Sequence, residues 1–391
     1  MDIVNLDHLS ANRLLPEVQE AMIQAIRTDY GNPSSQHKLG DRASEALEKA
    51  RESVAKLIHS ASPKEVAFTS GGTESVNFGI KGVAWAKAEK GKHIVTSNIE
   101  HNAVLRSLRR LKMMDYKVSS VPVDTYGRVD PSDVAKAIKE DTVLVSIMHS
   151  NNEIGTIQPI EEIGRITREK NVLFHVDAVD SVGVVPVDVQ KLGVDLLSFA
   201  SNPFHGPTGV GGLYIRRGTH IWPLLDGGVQ ENNRRAGTEN LIGIIGMGVA
   251  AELAARDMKA RASQMKEMKD LLLRELPNYI DEYIINGHPE LSLPNLVSVS
   301  IKYIEGESLV LMLDDENIAV STRSACAAGA LQASHVLLSI GRDFADAQGT
   351  LVITWGIDNK KEDLHRFLKA LRESVKTLRD ISPLYAKAAH A

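Results

Sequence analysis

Apolar residues along this chain recur at two spacings. Short, nearly continuous apolar or β-branched runs occupy 66–69, 93–96, 142–148, 173–176, 196–199 and 212–215, as expected of strands buried on both faces. Helix-like stretches near 74–90, 101–113, 131–140 and 160–169 fall between them. Strands alternating with helices from about 65 to 217 predict an α/β fold with a mostly parallel sheet covered on both faces. After about 250 the texture changes. A helix over 250–276, strands at 294–301 and 351–355, and a closing helix over 361–380 predict a smaller α+β domain. The expected division is 15–255 for the large domain, with 1–14 and 256–391 forming the small one.

A chain of 391 residues, 43% hydrophobic and 24% charged, is long enough for two globular domains. A net charge of −5 argues against nucleic acid or an anionic membrane as the main partner. No run approaches the 18 or so apolar residues of a membrane span, and 1–7 lacks the charged and apolar regions of a signal peptide. The single cysteine, Cys326, excludes an internal disulfide framework and fits a reducing compartment. The cytoplasm is the expected location.

Candidate chemistry sits where predicted strands end, the edge at which open parallel sheets bind ligands. Ser70-Gly71-Gly72-Thr73-Glu74 follows a strand and opens a helix. It reads either as a cap or as an anion site at a helix N-terminus. His101 begins the next helix, as a cap or as a ring able to stack on a planar ligand. Asn151, Asn152 and Glu153 form a polar cluster after the strand at 142–148, costly to bury without partners. Asp177 closes the strand at 173–176. Gly227 to Asn240 is a glycine-rich, charged loop containing Thr238. Cys326 lies among small residues, in a loop expected to be mobile, where Arg323 would lower the thiol pKa.

Together these segments resemble the IscS/NifS-type cysteine desulfurases, a branch of the class V aminotransferase-fold enzymes that use pyridoxal phosphate (PLP). The likeness runs nearly end to end, through Tyr30-Gly31-Asn32-Pro33-Ser34-Ser35, the Gly72-Thr73 turn, Glu100-His101, Asn151 to Gly155, Arg235 to Asn240 and Ser334-His335-Val336. It implies a homodimer with an aspartate aminotransferase-like large domain and a small domain carrying the cysteine loop. It also assigns roles. Asp177 would pair with the pyridine nitrogen and His101 would stack on the ring. Gly72 and Thr73 would hold phosphate, with Thr238 doing so from the partner subunit, and Asn152 would serve ring or substrate. Cys326 would receive the substrate's sulfur as a persulfide.

Six positions depart from that pattern. Pro203 stands where the Schiff-base lysine belongs, and Thr208 replaces a second lysine of the same turn. Ala200 and Asn202 replace a serine and a histidine that contact the phosphate. Asp180 replaces a glutamine that donates to the PLP phenolate, which an ionised aspartate would repel. Val352 replaces the arginine that clamps the substrate carboxylate, and an apolar side chain cannot make that bidentate contact. All six touch PLP or amino-acid handling. The expectation is therefore a degenerate desulfurase in iron–sulfur cluster assembly or sulfur transfer, with PLP absent or held noncovalently. Cys326 would act as persulfide acceptor or as ligand to a cluster shared with an IscU-type scaffold or other sulfur acceptor. The alternatives are slow desulfuration with noncovalent PLP, and a pocket repurposed so that His101, Asp177 and Asp180 bind another ligand or a metal.

Overall fold

All six apolar runs become strands of one sheet. In a computed structural model describing residues 3–323, 333–383 and 385–386, these are β2 (Val66–Thr69), β3 (His93–Ser97), β5 (Thr142–Met148), β6 (Leu173–Asp177), β7 (Leu196–Ala200) and β8 (Gly211–Ile215). They follow the short β1 (Val4–Asn5), and β4 (Lys117–Val121) is added at one edge, in the order β2-β8-β7-β6-β5-β3-β4. Every residue of β5 is buried, because helices cover both faces of this central strand. Only β8 runs against its neighbours. β4 was not foreseen: its polar, partly exposed Lys117–Val121 segment lacks a continuous apolar run, as an edge strand can.

Successive side chains along the strands feed two cores. Val145, Ile147, Phe174, Val176, Leu197 and Phe199 pack with Val54, Ile163 and Met247. Ile94, Leu144, Leu196, Leu213 and Ile215 pack with Val76, Phe78, Val104 and Leu108. A third core joins β9 (Tyr283–Asn286), β10 (Leu296–Ile301), β11 (Ile318–Ala319) and β12 (Thr350–Thr354) to helix Lys361–Asp380. There β10 is central to an antiparallel sheet, and β1 pairs with β11. The closing helix has the expected bounds.

Helix Leu241–Glu275 connects these bodies, burying Ile244, Met247 and Ala250 in the first core and Met265, Met268 and Leu272 in the third. It begins well before the expected residue 250. Gly243, Gly246 and Gly248 dilute its helical signature, since glycine is a poor helix former, yet Gly248 has a packing reason. A Cβ there would lie 2.6 Å from Ala50 of helix Lys38–Leu57, so glycine permits the two helices to touch. Among the described residues, no helix is long and apolar enough to cross a membrane.

One buried ion pair fixes the loop that carries Thr238. Arg51 Nη1 and Nη2 donate to Glu231 Oε2 and Oε1 at 2.6 and 2.9 Å, and Phe68 N–H donates to Oε2 at 2.9 Å. Both side chains are almost fully buried, so removing one charge strands the other. Glu231→Gln is expected to cost about 3–5 kcal/mol, read by chemical denaturation; a loss below about 1 kcal/mol would contradict this role.

Candidate functional site

β2, β3, β5, β6 and β7 run in the same direction, so the segments following them meet at one edge of the sheet. That edge gathers Gly72, His101, Asn152 and Asp177, as their positions after predicted strands implied. Helix Gly72–Ala86 starts after Gly71, whose φ of +145° favours glycine and beside which a Cβ would meet nothing within 4 Å. At Gly72 a Cβ would come 2.5 Å from Val179 Cγ2. The turn after β6 is thus seated directly on the helix N-terminus. Thr73 is exposed beside it.

His101 caps helix Asn102–Lys112, its Nδ1 accepting from Ala103 N–H at 3.1 Å. The cap reading holds and fixes the ring, which is close enough to Asp177 and Asp180 to influence both electrostatically. Asn151 is structural, donating to Ile99 O and accepting from the N–H groups of Glu153 and Ile154. Asn152 is half-buried alongside. Thr238 is exposed and lines a separate shallow recess with Ser70, Gly209 and Glu239. Arg235 Nε donates to Glu74 Oε1 at 2.9 Å, joining that loop to the phosphate-type turn.

The pocket is rich in buried acid. Burial pushes Asp177 up to about 6, with the charge of His101 opposing and that of Asp180 adding to the rise. Asp180 is also raised by burial, against the pull of Arg323 and His101. Burial raises Glu153 too, opposed by the hydrogen bond from Ser334 Oγ to Oε2 and by the charges of His335, Arg323 and His101. Glu100 is pushed to about 8 by burial, although Ser97 Oγ and Met148 N–H donate to its Oε1. Arg323, Glu153 and Glu100 as members of one charged group were not singled out from sequence. Arg323 is 146 residues beyond Asp177 in the chain, and no local pattern brings them together.

Pro203 is buried in a short turn, Asn202–Phe204, whose contacts lead away from the pocket. Asn12 Nδ2 donates to Asn202 O at 2.6 Å, Asn202 Nδ2 donates to Leu9 O at 3.4 Å, and His205 Nδ1 donates to Arg13 O at 3.0 Å. The Asn202 amide, expected near a phosphate, is engaged with the N-terminal segment. Val352 is buried in β12, where its N–H donates to Ser321 O at 2.7 Å. Cys326, foreseen as the reactive thiol, lies outside the described residues. The open helix N-terminus and Asp177 fit the phosphate and ring nitrogen of PLP. Pro203 and Asp180 do not fit its covalent attachment or its phenolate.

Glu100 supplies a pH test of this electrostatic description. Because its folded pKa lies above the unfolded value near 4.5, the stability it contributes is present below that value and lost as pH rises through about 8. Glu100→Gln removes this ionisation. Its melting temperature is expected to gain on the parent's steadily from pH 4.5 to 8; a pH-independent difference would contradict the assignment.

The class V aminotransferase model matches residues 4–367. The chain is 49% identical to the cysteine desulfurase IscS of Dictyoglomus turgidum over 380 residues, covering 97% of this chain and 96% of the relative. It is 46% identical to IscS of Methanosarcina thermophila over 384 residues, covering 98% and 95%. A solved NifS-like protein superposes with a TM-score of 0.90 at 42% identity, covering 96% of this chain and all of the other. A NifS-like protein from Rickettsia africae gives 0.87 at 27% identity, covering 96% and 99%. The chain belongs to the class V aminotransferase family, within its IscS/NifS cysteine desulfurase branch.

Proposed function

We propose that this chain serves sulfur transfer or iron–sulfur cluster assembly without desulfurating free cysteine itself. The observation that carries this reading is Pro203: a buried residue with no amine, in a turn hydrogen-bonded to Leu9, Asn12 and Arg13. When bound, PLP supplies an electron sink for bond cleavage at an amino acid's carbon atoms. The family's lysine attaches it and moves the α-proton. Here no side chain at 203 can hold that proton, and an acid, Asp180, stands where the family's glutamine donates to the phenolate.

Cys326 is the proposed working group. Its thiolate would attack the outer sulfur of a donor persulfide, forming a new S–S bond while the donor's S–S bond breaks and the donor leaves as thiolate. The sulfane sulfur changes carrier with no net oxidation. Alternatively the same thiolate ligates a cluster held on an IscU-type scaffold. Both described ends of the segment containing Cys326 support this: Arg323 acts on Asp180 and Glu153, and Ser334 bonds Glu153. The reading includes a homodimer, a cytoplasmic location, and the 15–255 and 1–14 plus 256–391 domains.

The open turn at Gly71 and Gly72 favours a second reading, in which PLP is held noncovalently through Gly72, Thr73, His101, Asp177 and Thr238 and turns over slowly. Absorption spectra with and without added PLP separate the two. We expect no visible band surviving dialysis, and sulfide release at least about 10²–10⁴-fold below that of a lysine-bearing relative, the usual contribution of a positioned proton-transfer group. A band that survives dialysis, together with measurable sulfide release from cysteine, would support the second reading. Cys326→Ala should abolish sulfur transfer or cluster assembly; undiminished function would refute the role of the thiol.

A further inference from the structure

Two imidazoles and a carboxylate outside the pocket meet where three distant chain segments cross. His8 follows β1, His205 follows the Pro203 turn, and Asp358 follows β12. One potential ligand atom from each lies within 4.8 Å of the other two. His8 Nε2 is 3.0 Å from Asp358 Oδ1, yet is buried without an aligned hydrogen bond. The imidazole rings are 5.5 Å apart, with 64° between their planes. His8 and His205 are 3% and 2% exposed, whereas the Asp358 side chain is 42% exposed.

We propose that His8, His205 and Asp358 form a binding site for a divalent transition-metal ion, with water completing its coordination. A two-histidine, one-carboxylate set with an open position suits zinc or another first-row divalent ion. At metal–ligand bonds of about 2.0–2.2 Å, tetrahedral ligand atoms stand roughly 3.3–3.6 Å apart. Small side-chain rotations can bring the observed group to that spacing.

The surroundings orient the ligands. Arg13 O can only accept, so the 3.0 Å contact places the proton of His205 on Nδ1 and leaves Nε2 with a lone pair. The His8 ring lies against Gly356, where a Cβ would come 2.0 Å from Cε1; no other residue leaves that seat open. Arg261 acts on His205 as an opposing cation, but is itself paired with Asp257 at 3.8 Å.

This inference is independent of the sulfur-transfer reading. The test is zinc titration of full-length protein, stripped with a chelator and monitored by competition with a chromophoric indicator. Parallel melting curves check folding and zinc-dependent stabilisation. Asp358→Asn is the main variant because that side chain is half-exposed; His205→Gln is the second and Cys326→Ser the control. We expect one tight site in the parent and in Cys326→Ser. Folded Asp358→Asn should bind at least roughly 10–100-fold more weakly, the scale found when metal-site support is removed, and should lose the zinc-dependent rise in melting temperature. Unchanged affinity in Asp358→Asn, absence of a tight site in the parent, or loss of that site in Cys326→Ser would overturn the proposal. If His205→Gln melts like the parent yet binds zinc equally well, the assigned ligand set is wrong.

Discussion

Carboxylates removed from water must be protonated or matched by positive charge, and this constraint governs the candidate site. Four acids, Glu100, Glu153, Asp177 and Asp180, gather at the sheet edge, and burial raises all four above their usual range. His101 opposes the rise at three of them, and Arg323 at Glu153 and Asp180. The pocket is therefore an acid-rich enclosure balanced by a few cations, not a cationic cradle throughout. Its helix N-terminus still favours phosphate. Position 203, a proline, offers no amine.

The Pro203 turn is tied into the surrounding architecture. Hydrogen bonds from Asn12, Asn202 and His205 connect it to residues 9–13, while Phe204 packs against Gly183 in the turn beyond Asp177. The turn contributes buried surface and contacts between distant segments of the chain. Those contacts also bring His205 beside His8, so the proposed metal site and the altered lysine position share one structural element.

Much of the fold was legible because its strongest signals are local. β5 is an uninterrupted apolar run, and the closing helix carries an apolar stripe from Leu364 to Val375. β4 and β9 escaped because short strands with exposed positions lack that signature. The start of the long helix was hidden by Gly243, Gly246 and Gly248, of which Gly248 makes room for Ala50. At the site, Asp177 and His101 were visible as strand-end and helix-start residues. Their coupling to Arg323, and the meeting of His8 with Asp358, depend on tertiary crossings that no local spacing encodes. Asn202 shows the reverse: its motif position suggested a phosphate, while its side chain reaches Leu9.

The most direct test of the central claim is intact-mass analysis of Cys326 after incubation with added PLP, first with isotopically labelled free cysteine and then with a persulfide donor. The account predicts no labelled sulfur on Cys326 from free cysteine and one added sulfur from the persulfide. Rapid labelling from free cysteine, with no other protein present, would contradict it.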